Sequence, residues 1–287
     1  MIKRWQVGLL VVAILATALV LKREPIAMAW FASKIEKTTL DQRIDLIKGF
    51  VEIRLPQTGD GPFPVLVQLH GCAGIRPAFQ HQWADIANKA GFAAMIVDSN
   101  GARGFSREES LKIVCGGKAL IGQERAGDIA AALEMAARDD RLDASRIVLA
   151  GWSHGAWTAM DYLTMDAAKH PLPGISGLQP ALPDISGAIL FYPYCGVGAL
   201  SRFKPPAHSV KTLALIAGAD EVVDASICTR YFDKQKRNGA DIDMIIYPDA
   251  NHVFDDPFLE PDYIHWYNEN DFNDATARVE IFLSTPK

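Results

Sequence analysis

Gly151-Trp152-Ser153-His154-Gly155 sets a hydroxyl nucleophile between two glycines, the G-x-S-x-G spacing of a nucleophile elbow. The chemistry of such a serine is attack on a carbonyl carbon. It needs a general base, a carboxylate to orient that base, and N–H donors for the oxyanion. The chain offers a candidate for each. Seven histidines are present. His252, in Tyr247-Pro248-Asp249-Ala250-Asn251-His252-Val253-Phe254, is the candidate base, because the order on an elbow of this kind is serine, acid, histidine. His81, His170, His208 and His265 fall in segments that read as surface helix, loop or C-terminal segment, and His154 is too near Ser153 to fold back onto it. Asp220, in Ala217-Gly218-Ala219-Asp220-Glu221-Val222-Val223-Asp224, is the candidate acid. Glu221 and Asp224 are rivals, although Asp224 suits a helix cap better. The oxyanion donors are expected to be the amides of His154 and of Cys72, with Ala73 as the alternative to Cys72 in Leu69-His70-Gly71-Cys72-Ala73-Gly74. His70 reads as a structural hydrogen-bonding residue of that loop.

These residues work only if strands and helices present them at one edge. Alternating or apolar runs predict strands over Phe50–Leu55, Val65–Leu69, Phe92–Val97, Arg146–Ala150, Gly187–Phe191, Thr212–Ala217 and Ile242–Tyr247. Helices are predicted over Phe79–Ala90, Ile121–Arg138, His154–Met165, Ser226–Arg237 and Asn273–Leu283. The second of these carries Ile129, Leu133 and Ala137 on one stripe. Ala32–Leu40 reads as a short linker or helix. Strands alternating with helices predict a mostly parallel central sheet with helices on both faces. The elbow then falls directly between a strand and a helix, as it must. The Pro- and Gly-rich stretch from Lys169 to Asp184 is placed where an insertion could cover an active site.

The chain has 287 residues, 49% hydrophobic and 22% charged, with a formal net charge of -5. That length and apolar content suit one large α/β domain. A mildly acidic chain without basic runs gives no electrostatic footing for nucleic acid. At the N-terminus, Lys3 and Arg4 precede an apolar run from Val7 to Leu21, followed by Lys22-Arg23 and by an A-x-A match at Ala27-Met28-Ala29. Residues 1–30 therefore read as a signal or membrane-anchor segment and 31–287 as a catalytic domain, in a protein expected to be exported to the periplasm or secreted, with that segment as its membrane anchor where it is retained. Export permits disulfides. The four cysteines allow three pairings and show no zinc spacing. Cys72–Cys115 and Cys195–Cys228 are the expected pairs, since each pair follows strands that open at the same end of the sheet.

The motifs LHGCAG, DSNGARG, GWSHG, FYPYC, AGADEVVD and YPDANHVF, in this order from Val65 to Phe254, resemble the dienelactone hydrolase family of the α/β-hydrolase superfamily. The resemblance implies an α/β-hydrolase fold and a triad of Ser153, Asp220 and His252. It also implies that Arg103, in the DSNGARG loop, holds a substrate carboxylate. The other reading of Arg103 is a tie between its own loop and a neighbouring carboxylate. The name-giving enzymes of the family use a cysteine nucleophile where this chain has Ser153, and a glutamate where it has His70-Gly71. The resemblance therefore implies ester or lactone hydrolysis rather than dienelactone as the substrate.

Three readings of function follow. Cleavage of a small-molecule carboxylic ester or lactone, with no metal or organic cofactor, stands first. Acyl-peptide or peptide hydrolysis on the same fold stands second, because no peptide-selecting propeller shows in these residues. A non-catalytic binding protein on a hydrolase scaffold stands third, because it would usually lack one of the three catalytic groups.

Overall fold

Val, Ile, Leu and Ala crowd the central strands because those strands are covered on both sides, where any polar side chain would need a buried partner. The computed structural model describes residues 32–33, 35–165, 172–177 and 180–285. The expectation for residues 1–30 lies outside them. A seven-stranded sheet is ordered β1-β3-β2-β4-β5-β6-β7. Its strands are β1 (Val51–Arg54), β2 (Phe63–Leu69), β3 (Ala93–Val97), β4 (Leu142–Trp152), β5 (Ile185–Phe191), β6 (Lys211–Ala217) and β7 (Ile242–Tyr247). Only β1 runs antiparallel to its neighbour.

The side-chain alternation of the strands divides the interior into two cores. Val65, Val67, Met95, Leu149, Leu190 and Ile216 face one side; Leu66, Ile96, Val148, Ile189, Phe191 and Leu215 face the other. The first side is covered by α1 (Leu40–Ile47), α4 (Gly122–Ala137), α5 (His154–Thr164) and α6 (Ala225–Arg237). The second is covered by α2 (Pro77–Lys89) and α7 (Glu269–Ser284). The mostly parallel sheet with helices on both faces is thus the fold observed.

Three differences from expectation have local causes. β4 begins at Leu142 rather than Arg146, because Phe63 and Pro64 extend the pairing to Leu142 and Asp143 across a register shift. Helix α1 starts at Leu40, where the expected short linker or helix ends, and α3 (Arg107–Ile113) is not among the expected elements. Both are too short to show a stripe, but both carry a capping box. Thr39 pairs with Gln42, and Ser106 with Glu109. Of the Lys169–Asp184 stretch, residues 172–177 lie beside α1 and α4: Ser176 N–H donates to Thr38 O at 2.8 Å, and Ile175 is buried.

The polar core is organised on Asp128 of α4. Arg43 of α1 donates to it at 3.0 Å, and Arg103 of the loop after β3 grips it with two bonds of 3.0 Å. Burial pushes the Asp128 carboxyl up, but the charges and bonds of Arg103 and Arg43 outweigh burial and leave it below the usual carboxylate range. A depressed folded value means that this carboxylate stabilises the protein above its unfolded value and that the stabilisation is lost as pH falls through the folded value. Asp128→Ala strands two guanidinium groups, one fully and one mostly buried. We expect it to destabilise the fold by about 3–5 kcal/mol in urea denaturation. A loss below ~1 kcal/mol would show that water rescues both arginines.

Candidate active site

A serine hydroxyl stands clear of a strand-to-helix junction only if the junction is tight. A Cβ on Gly151 would lie 2.5 Å from Ala156 N, and one on Gly155 would overlap the Leu69 carbonyl oxygen. Both positions therefore require glycine. Between them Ser153 adopts φ 53° and ψ -112°, with α5 starting at the next residue. Among the described residues, three of the four non-glycine residues with positive φ are Ser153, Tyr192 and Val253. They stand at the ends of β4 and β5 and directly after His252. Strain of this kind persists only where surrounding contacts hold it, and it gathers at functional sites.

His252 and Asp220 meet. Nδ1 of His252 donates to Asp220 Oδ2 at 2.7 Å, and the two side chains are 8% and 1% exposed. The other Asp220 oxygen accepts from the amides of Val222 and Val223 at 2.8 and 2.9 Å. A carboxylate that can only accept fixes the proton on Nδ1 and leaves Nε2 free as an acceptor. Ser153 N–H donates to Phe191 O at 2.9 Å, and the ring of the next residue, Tyr192, lies 4.6 Å from the His252 ring. Ser153 and His252 thus flank the end of β5. No hydrogen bond joins Ser153 Oγ to His252 Nε2 among the described residues, and such bonds often tighten only around a substrate. Of the rivals of Asp220, Asp224 caps α6 by accepting from Ser226 N at 3.0 Å, and no hydrogen bond joins the Glu221 carboxylate to His252 among the described residues.

The loop after β2 is packed against the elbow. A Cβ on Gly71 would lie 3.7 Å from Ser153 Cβ. Cys72 follows, its N–H unbonded among the described residues. His154 is the first residue of α5, so its N–H has no intrahelical acceptor. The loop is tied from several sides. Cys72 O accepts from Asn100 Nδ2 at 2.9 Å, and His70 O accepts from Arg125 Nη1 at 2.7 Å. A disulfide joins Cys72 to Cys115 with a Cα–Cα distance of 5.0 Å. The second disulfide joins Cys195 to Cys228 with a Cα–Cα distance of 5.3 Å. Both expected pairings are therefore present. Their spans of 43 and 33 residues correspond to about 4 kcal/mol each of chain-entropy stabilisation.

The imidazole rings of His70 and His154 are both buried. Nε2 of His70 accepts from Ser99 N–H at 3.2 Å, which puts the proton on Nδ1, facing Gly71 O at 2.6 Å. Burial, reinforced by the Arg125 charge, holds both imidazoles well below the usual histidine range. Asp98 near His70 is therefore beside a neutral ring and makes no ion pair with it. Arg103 is occupied by Asp128 and by Ser99 O at 2.8 Å, with its side chain 11% exposed. Its contacts fit the loop-tying reading.

Sequence reasoning overlooked Arg125, which is fully buried and donates to His70 O, Ser99 Oγ and His154 Nδ1. Burial pushes its guanidinium down to about 10. The signal was available: Arg125 stands one turn before Ile129 on the apolar stripe of α4, where a charge demands a reason. Asn100 and Asp255 were overlooked as well, and no periodicity marks either.

The pattern of the prolyl oligopeptidase family of peptidases matches residues 77–170. That range includes Ser153 but neither Asp220 nor His252. The chain is 24% identical over 223 residues to the acylamino-acid-releasing enzyme of Rattus norvegicus, covering 69% of this chain and 30% of that enzyme. The chain thus spans about a third of the length of the curated relatives it matches. Among solved structures, a Klebsiella pneumoniae protein assigned as a dienelactone hydrolase superimposes with a TM-score of 0.63 at 15% identity, covering 82% of this chain and 92% of that one. An esterase of Thermogutta terrifontis superimposes with a TM-score of 0.60 at 17% identity, covering 83% and 91%. The fold of this chain is the α/β-hydrolase fold.

Proposed function

We propose that the chain is a serine hydrolase that cleaves carboxylic esters or lactones through an acyl-enzyme. The observation that carries the reading is the 2.7 Å bond from His252 to Asp220, on the same edge of the sheet as a serine held at φ 53°. In the proposed reaction Ser153 Oγ bonds to the ester carbonyl carbon as His252 Nε2 takes its proton. The amides of Cys72 and His154 receive the developing oxyanion. Collapse breaks the bond to the alkoxide, which leaves with the proton from His252. Water, deprotonated by the same imidazole, then releases the acid and restores the serine. Asp220 holds the tautomer and stabilises the imidazolium. In this reading Arg103 shapes the loop after β3 through Asp128 rather than binding substrate. We assign residues 31–287 to the catalytic unit, and the two disulfides are consistent with an exported protein.

A peptidase reading is favoured by the prolyl oligopeptidase match and by the acylamino-acid-releasing relatives. Two measurements separate the readings. A fluorophosphonate probe is expected to label Ser153, as located by peptide mapping; absence of labelling would leave only a binding protein on this fold. With labelling established, turnover of p-nitrophenyl acetate is expected to exceed that of acyl-amino-acid p-nitroanilides. The reverse order would make the chain a peptidase.

A further inference from the structure

Ser153 follows β4 and His252 follows β7, with β5 and β6 between them. At ~4.8 Å per strand, the loop after β7 must come back about 14 Å across the sheet to bring an imidazole to the serine. One carboxylate on that loop reaches β4 itself. Asp255, three residues beyond His252, is fully buried. Its Oδ2 accepts from Trp152 Nε1 at 2.9 Å and from Trp83 Nε1 at 3.1 Å, and its Oδ1 accepts from Tyr192 OH at 2.8 Å. Trp152 is the residue before Ser153. Tyr192 is held at φ 32°, and its ring lies 4.6 Å from that of His252, tilted by 56°. A single carboxylate therefore touches the neighbour of the serine, belongs to the loop of the histidine, and bonds the ring on which the histidine rests.

We infer that Asp255, acting through Tyr192, is a positioning residue for His252 that sets its place against Ser153. The inference rests on the serine-hydrolase reading above. Three donors and no cation meet this carboxylate. Its neighbour Asp256 is paired with Arg76 at 2.6 Å, and the charges of Asp256 and Asp220 both act on Tyr192. Burial pushes the Asp255 carboxyl up to about 7, Asp256 adds to that, and the donors Tyr192 and Trp152 pull it down. A raised folded value means that ionising this group costs stability progressively as pH rises from the unfolded value towards 7. The group is kept there by what it holds: its bond to the Tyr192 hydroxyl fixes the ring on which His252 rests, and its bond to Trp152 ties that ring to the residue before Ser153.

The test uses the whole chain as wild type, Asp255→Asn, Tyr192→Phe and the double variant, with p-nitrophenyl acetate. Tyr192→Phe keeps the ring and deletes only the hydroxyl, so it serves even where Asp255→Asn folds poorly. Each single variant is expected to lower kcat by roughly tenfold or more while KM stays within about twofold. The double variant is expected to be no slower than the worse single one, because the two residues act as one unit. The loss is expected in kcat per active site titrated with fluorophosphonate, since it arises from the place of the imidazole against the serine. A merely structural pair would lower the number of titratable sites without lowering kcat per site. An active wild type with variants matching it in kcat per titrated site, or with strictly multiplicative losses, overturns the inference and leaves the hydrolase reading intact. A wild type that neither turns over ester nor takes up fluorophosphonate overturns both.

Discussion

Ser153→Ala is expected to lower kcat for p-nitrophenyl acetate by about 10⁴–10⁶, on the scale of triad knockouts, with the melting temperature nearly unchanged. The substitution removes one oxygen and keeps what holds the elbow. The bond from residue 153 N–H to Phe191 O involves only backbone, and the Ser153 atom that borders the space beside Gly71 is Cβ, which alanine keeps. Any residual rate measures the two amides and the bound geometry without a nucleophile. The measurement is steady-state turnover with circular dichroism melting on the same sample. A folded variant within tenfold of wild type would end the serine mechanism.

Asp220→Asn is the second large effect, about 10⁴ in kcat. The reason is directional. One Asp220 oxygen accepts from the Val222 and Val223 amides, and the other faces His252 Nδ1. An asparagine must turn its carbonyl to the two amides, so its NH₂ meets Nδ1. The imidazole then carries its proton on Nε2, where it can no longer accept from Ser153. Asp224→Asn is the control and is expected to stay within about twofold, because asparagine caps a helix as well as aspartate does. Kinetics of both variants at one pH decide the matter. If Asp224→Asn is the slow one, the acid has been misassigned.

Arg103 and the cysteines show how far sequence reasoning carries and where it stops. The pairings Cys72–Cys115 and Cys195–Cys228 could be read in advance, because strand order alone places each pair at one end of the sheet. Arg103 could not be decided that way. Whether it meets a substrate or a carboxylate depended on Asp128, 25 residues away on α4. The short helices α1 and α3 lie between these cases: their capping boxes were in the sequence, but seven or eight residues are too few for a periodic stripe to announce them.

The sequence by itself determined whatever is enforced locally. Apolar runs buried on both faces could only become inner strands. Glycines at 151 and 155 could only mark a turn where a Cβ has no room, and the order Ser153, Asp220, His252 assigned the candidate roles. Tertiary structure alone decided which buried polar groups meet: Asp255 with indoles 172 and 103 residues away, Arg125 with the carbonyl of His70, and Asp128 with two arginines. The physical reason is that sterics and periodicity act between near neighbours in the chain and leave a pattern there. A buried hydrogen bond needs only that two distant segments arrive at the same place with a donor facing an acceptor, and no spacing records it.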